Sequence, residues 1–337
     1  MPLDTTSETG LRPRTVDELT YSLARAAANR QPIGSFDLAA LIRLIEHKPE
    51  DMTATAEAGL TVAELQKLLA IRGQWLPIDP PCPESLTLGA LLATNASGPR
   101  RFGYGTIRDY VIGLKVVLAD GRLISCGGKV VKNVAGYDLA KLFIGSRGSL
   151  GVIVEATFKL RPLPETERFV QARCESLDHA GRLLEAVLDS DLTPVVLDLH
   201  QSGGSESPTR PVSGKKAAGS ETQPYPIILV TGFAGTRQDV DWQLERAASL
   251  GLNQPATHDY EGEFWAGKAT VQKASVLPSR LIEALHRIST PFVARAGNGI
   301  VYHRGAPPAV SDEPPAKLYR GLKQTWDPQN ILPPIPL

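Results

Sequence analysis

Excess charge of either sign is missing from this chain: 36 lysines and arginines stand against 36 aspartates and glutamates, for a formal net charge of zero. A general nucleic-acid binder carries a basic excess, so the balance argues against that class. Neutrality also gives little electrostatic solubility, which suits a chain that covers part of its surface with a partner. Cysteine is scarce. Cys82, Cys126 and Cys174 form no CxxC pair, which argues against a disulfide framework and a cysteine zinc site and leaves too few thiolates for an iron–sulfur cluster. Such usage fits a reducing cytosol. No apolar run reaches the length of a membrane span, and the opening Met1-Pro2-Leu3-Asp4 has neither the basic start nor the apolar core of a signal peptide. A Gly-x-Ser-x-Gly elbow, a histidine–cysteine couple and a P-loop lysine are absent too, which removes those routes to nucleophilic catalysis and phosphate binding.

What is present is a globular composition, 42% hydrophobic and 21% charged over 337 residues, enough for two cores. Thr15 before Glu18 and Thr61 before Glu64 have capping-box spacing and predict helices over about 16–30 and 62–72, the second ended by Gly73. Residues 38–46 read as a turn or short helix. Strands are expected at 52–58, 111–118, 122–126 and 152–160, with Asp120-Gly121 as a hairpin turn. Arg161-Pro162-Leu163-Pro164 reads as a domain boundary. Beyond it, strands at 169–174, 194–200, 227–233, 292–296 and 300–303 alternate with helices at 179–188 and 239–250, an α+β pattern. The resulting division is a flexible tail at 1–10, a first domain at 11–164 and a second at 165–337. A Ser-, Gly- and Lys-rich mobile loop is expected at 202–224.

Glycine is concentrated where the chain turns. Ser85-Leu86-Thr87-Leu88-Gly89 runs into Ala93-Thr94-Asn95-Ala96-Ser97-Gly98. Phe102-Gly103-Tyr104-Gly105 follows, and later Gly145-Ser146-Arg147-Gly148-Ser149-Leu150-Gly151. Such turns bring backbone close to a ligand and form N–H nests for anions, so they suit a dinucleotide lying over several loops. The last turn is not a Rossmann fingerprint. Its glycines are three apart, and it follows a helix and opens a strand rather than the reverse. Taken alone, it reads first as a tight helix-to-strand turn with no ligand.

These turns occur in family order with Tyr104-Gly105-Thr106, Gly113-Leu114-Lys115-Val116-Val117-Leu118-Ala119-Asp120-Gly121 and Gly136-Tyr137-Asp138-Leu139. The series resembles the flavin-binding domain of the vanillyl-alcohol oxidase and p-cresol methylhydroxylase (PCMH) superfamily, and within it the FAD-binding subunits of bacterial glycolate oxidase. The resemblance covers about 12–164 and resumes near Ala296-Gly297-Asn298-Gly299 and Trp326-Asp327-Pro328-Gln329-Asn330-Ile331-Leu332. It implies an α+β fold: a PCMH-type FAD-binding domain followed by a ferredoxin-like cap domain. It also implies non-covalent FAD. Ser85, Thr87, Gly89, Thr94, Asn95, Ser97 and Gly98 would line the pyrophosphate and isoalloxazine, and Gly148, Gly151 and Ile153 the adenine side. Asn95 reads alternatively as a structural amide capping its own turn.

One departure concerns the early phosphate loop. Relatives carry a glycine-rich stretch there. Here Gln31-Pro32-Ile33-Gly34 passes straight to Ser35-Phe36-Asp37-Leu38, so Gly34 is its one remaining glycine. Losing two or three N–H donors to a charged group would cost about 3–9 kcal/mol of cofactor binding. His47, the first histidine, reads as turn surface rather than a covalent flavin anchor. Near the C-terminus, Arg295-Ala296-Gly297-Asn298-Gly299-Ile300-Val301-Tyr302-His303-Arg304 holds one histidine where catalytic relatives have a pair. Arg295 and Arg304 read as surface charges, or as holders of a substrate carboxylate. The resemblance implies a subunit of a cytoplasmic glycolate oxidase (dehydrogenase) complex, peripheral to the inner membrane through its partners. Those partners would be a larger flavoprotein subunit and an iron–sulfur subunit, and the substrate a small 2-hydroxy acid. The alternative is a non-catalytic scaffold subunit of the same complex.

Overall fold

The computed structural model describes residues 10–128, 139–201, 226–267, 270–305 and 316–335. The expected tail up to residue 9, the loop at 202–224 and Gly136-Tyr137-Asp138 lie outside these. The chain divides by compactness into two units. The first holds 1–98, 105–163 and 311–337, and the second 99–104 and 164–310. The contact boundaries therefore differ from the linear cut at 164/165.

In the first unit, Thr15 caps helix α1 (Val16–Ala28) by accepting from the Glu18 amide, and Thr61 caps α2 (Val62–Ala70) through Glu64 in the same way. Thr87 begins a third helix, α3 (Leu88–Thr94), by accepting from the Ala90 amide at 3.2 Å. The sheet is formed by β1 (Leu44–Lys48), β2 (Thr53–Glu57), β3 (Val111–Val117), β4 (Leu123–Gly127) and β5 (Val152–Lys159). Its order is β1-β2-β5-β3-β4, antiparallel throughout. The turn or helix expected at 38–46 is in part strand β1. Pairing with β2 outweighs the local turn signal there. Leu19, Leu23, Val117, Val152 and Val154 belong to one core cluster.

The second unit contains β6 (Thr166–Cys174), α4 (Leu177–Leu188), β7 (Val196–Gln201), β8 (Ile227–Gly235), α5 (Arg237–Ser249) and β9 (Gln254–Ala256). These strands lie in the order β9-β6-β8-β7, the ferredoxin-like arrangement expected for the cap. The sheet continues past β7 with β11 (Phe292–Arg295), β12 (Ile300–His303) and β10 (Gln272–Ser275). Ala180 and Leu183 of α4 and Val240 and Ala247 of α5 join one core with Leu197, Leu199, Phe292 and Ala294. Both helices therefore cover the same sheet face. Residues 99–104 include a helical turn, Arg101–Tyr104, whose Gly103 amide donates to the Val195 carbonyl at 3.0 Å.

A final helix, α6 (Ala316–Trp326), clusters with the first unit. Its Trp326 ring meets Phe143 edge-on at 5.3 Å, and Ile331 and Leu332 beyond it are buried with Leu19 and Leu23.

Candidate cofactor site

The site grows from the C-terminal end of α3. A helix leaves its last carbonyls without internal partners, and here a second loop meets them. The Gly145 amide donates to the Leu92 carbonyl at 2.9 Å, and the Arg147 amide to Ala93 at 2.8 Å. Two of the glycine turns, about fifty positions apart in the chain, are thereby docked on each other. The geometry demands unusual backbone: Gly145 has φ +87° and Gly148 +78°, while Asn95 and Arg147 are left-handed at 49° and 52°.

Asn95 ends α3, and its own amide donates to Leu92 at 3.3 Å. Its side-chain Oδ1 is buried with no hydrogen-bond partner, as is Oγ of Ser146 in the docked turn. Asn95 therefore does not cap its turn through that oxygen. Buried polar atoms are almost always paired, so two orphans in two abutting loops point to a missing polar partner. Ser146 was not singled out from sequence; its place inside the Gly145 turn was the only signal available.

The other candidate residues divide by role. Gly89 and Gly98 are close-packing positions. The Gly89 amide donates to the Ala58 carbonyl at 2.7 Å, and a Cβ at Gly98 would overlap the Asp79 carbonyl. A Cβ at Gly151 would press on Val116 and Phe143. Ile153 is buried in β5 opposite Val116. Thr94 turns its hydroxyl back to the Ala90 carbonyl at 2.7 Å. Ser97 is buried, while Ser85 and Gly34 are exposed. Space around Gly148 is open. In the Gly145 turn, the amides of Gly145, Ser146, Arg147 and Ser149 all donate within the fold, so its anion nest is smaller than glycine content alone suggests. Of the third glycine-rich turn, Phe102 to Tyr104 cluster with the second unit and Gly105 with the first.

The early loop is short but anchored. The Ile33 amide donates to the Ile331 carbonyl at 2.7 Å, and Leu11 pairs with the segment after Gly34 through Ser35 and Asp37. His47 hydrogen-bonds Gln74 at 2.9 Å, a structural contact.

The second unit holds a buried ionic cluster on the sheet face away from its helices. Arg295, expected as a surface charge or carboxylate holder, is 1% exposed. It pairs with Asp198 directly across β11 and β7, and its Nη2 lies 2.7 Å from Glu261 as an ion pair. Tyr260 donates its hydroxyl to Asp198. Burial raises the Asp198 carboxyl to about 6, with Arg295 pulling against it. Burial also works against the Arg295 cation, but Asp198 and Glu261 more than offset it and hold the guanidinium above its ordinary range. His200, two residues along the same strand, is pushed by burial down to about 4 and is neutral at pH 7. His303 is buried and likewise lowered by burial. Among the described residues, no group of three His, Cys, Asp or Glu side chains is arranged to hold a metal ion.

The first unit thus joins docked glycine turns to an antiparallel sheet, and the second unit has a ferredoxin-like strand order. Residues 22–127 of the chain match the model of the FAD binding domain family, and the cofactor is FAD. The chain is 39% identical over 156 residues to the glycolate oxidase subunit GlcD of Bacillus subtilis, spanning 46% of this chain and 33% of that one. It is 38% identical over 122 residues to the glycolate oxidase subunit GlcE of Escherichia coli, spanning 36% and 35%. To the D-lactate dehydrogenase of Archaeoglobus fulgidus it is 33% identical over 189 residues, spanning 56% and 42%. The matches thus span about a third to two-fifths of these relatives. In fold, alkyldihydroxyacetonephosphate synthase superposes with a TM-score of 0.69 at 17% identity, covering 97% of this chain and 77% of that one.

Proposed function

We propose that this chain is the FAD-binding subunit of a glycolate oxidase or dehydrogenase type complex that oxidises a small 2-hydroxy acid. The observation that carries this reading is the docking of the Gly145 turn on the end of α3, with Asn95 Oδ1 and Ser146 Oγ buried and unpartnered in the two docked turns. These residues fit a flavin nucleotide: two polar atoms suited to its donors, open space at Gly148, and glycines that let backbone approach. FAD, when bound, supplies the acceptor for the two electrons and hydrogen leaving the substrate.

In this reading Asn95, Ser97, Gly98, Ser85, Thr87 and Thr94 hold the flavin and diphosphate, and Gly148, Gly151 and Ile153 shape the adenine side. Gly34 contributes the one glycine of a shortened phosphate loop, and the binding is non-covalent. Gly89 acts indirectly, by letting α3 sit close on Ala58. Electrons pass to partner subunits, a larger flavoprotein and an iron–sulfur protein, because this chain has three scattered cysteines. A cytoplasmic complex, held at the inner membrane by its partners, follows; no described helix is long and apolar enough to cross a membrane.

The test is the visible spectrum of the purified protein, alone and after FAD addition and desalting. Retained flavin absorbance is expected. Its complete absence at saturating FAD would defeat the reading and favour the second one, a scaffold subunit of the same complex that no longer binds FAD tightly. The burial of Arg295 as an ion pair with Asp198 and Glu261 favours that second reading, because a cation already balanced by two buried carboxylates gains little charge stabilisation from a third.

A further inference from the structure

The C-terminal segment makes an unusual set of contacts. Lys323 of α6 is mostly buried, and its ammonium shares three protons among four acceptors within hydrogen-bond distance. These are the Asp327 carboxylate at 2.7 Å and the carbonyls of Ser149, Leu332 and Pro333 at 3.0, 3.0 and 2.9 Å. Asp327 is fully buried and accepts in turn from the amides of Ile331 and Leu332, both at 2.8 Å. Ser149 closes the Gly145 turn by donating its amide and its hydroxyl to the Ser146 carbonyl, at 3.0 and 2.6 Å. The same tail also meets the early loop, since the Ile331 carbonyl accepts from Ile33, next to Gly34.

We infer that Lys323 is a positioning residue for the cofactor: through Asp327 and the tail it clamps the Ser146–Ser149 turn and the Gly34 segment at once. This rests on the FAD reading above. The physical need is clear. In that reading the early loop, with Gly34 as its one glycine, brings few amides to the diphosphate. The remaining donors must then be held in place beforehand, because ordering a loop on binding subtracts from affinity. A lysine ammonium has three protons and no acceptor capacity, so it suits a site ringed by carbonyls.

The test compares the parent protein with Lys323→Met and with the charge-neutral pair Lys323→Met/Asp327→Asn. The pair is needed because the single change leaves a buried carboxylate without its cation. Two readouts are taken on the full chain: the FAD dissociation constant from flavin fluorescence, and hydrogen exchange of the peptides covering 31–36 and 145–151 without FAD. We expect both variants to weaken FAD binding about tenfold or more. Both peptides should exchange faster while core strands keep their protection. Unchanged exchange in those two peptides overturns the inference even if FAD binds. Loss of protection everywhere, in both variants, also overturns it, since Lys323 would then serve global stability. If the parent binds no FAD but the two peptides alone exchange faster, the clamp stands and the cofactor reading falls.

Discussion

Asp198 and His200 illustrate how a buried residue responds to pH. They alternate on β7 and share the sheet face opposite α4 and α5. The folded carboxyl of Asp198 sits near 6, above its ordinary 3.8. Its contribution is therefore complete at pH below 3.8 and is lost as pH rises through about 6. His200 is the reverse. Its folded value near 4 is below the ordinary 6.5, so its contribution is present above 6.5 and lost as pH falls through 4. Between about pH 4 and 6 the two slopes oppose each other. Replacing the histidine, His200→Leu, should leave the Asp198 slope alone, so that stability falls relative to the parent as pH rises across that window. Urea unfolding at several pH values checks this, and parallel pH profiles would exclude it. Asp198 and Arg295 are 97 positions apart, and nothing local in either segment announced that they would meet. Arg295 therefore read as a surface charge, which is the ordinary fate of arginine.

At the scale of elements, capping chemistry was the most legible signal. Thr15 and Thr61 were readable because the donor each serves lies three residues on, and both caps are present. Thr87 makes the same bond at the start of α3, although it was singled out as a flavin ligand instead. The two roles lead to different outcomes for Thr87→Ala. Loss of the cap costs about 1 kcal/mol of stability. Because α3 carries Asn95 at its far end, FAD affinity should fall along with it. Thr87→Ser or Thr87→Asp should restore the melting temperature, which differential scanning calorimetry would record. Strand β1 was not legible, since 38–46 read as a turn or short helix and Leu44–Lys48 owes its form to pairing with β2. The Gly145 turn was legible as a turn, but its partner was not. Its amides meet carbonyls of α3, so glycines that looked like ligand donors are in part fold contacts.

For the molecule as a whole, the return of the C-terminus to the first unit has the largest consequence. Ile331 is 1% exposed in the core with Leu19 and Leu23. Ile331→Ala should therefore cost about 2–5 kcal/mol, the usual range for a large core truncation. A change at the end of a chain is more often neutral. A denaturation curve with an intrinsic fluorescence probe would measure it, and a loss under half a kcal/mol would contradict the packing described. By itself the sequence established the α+β class, the helix starts, most strands and the order of the glycine turns. Each of those rests on neighbours a few residues apart, where backbone geometry and side-chain period act directly. Only the tertiary structure decided that the Gly145 turn docks on α3, that Arg295 is enclosed by two carboxylates, and that Lys323 grips a carbonyl 174 positions away. Such pairings form when the whole chain closes on itself, and burial then makes each partner depend on the other.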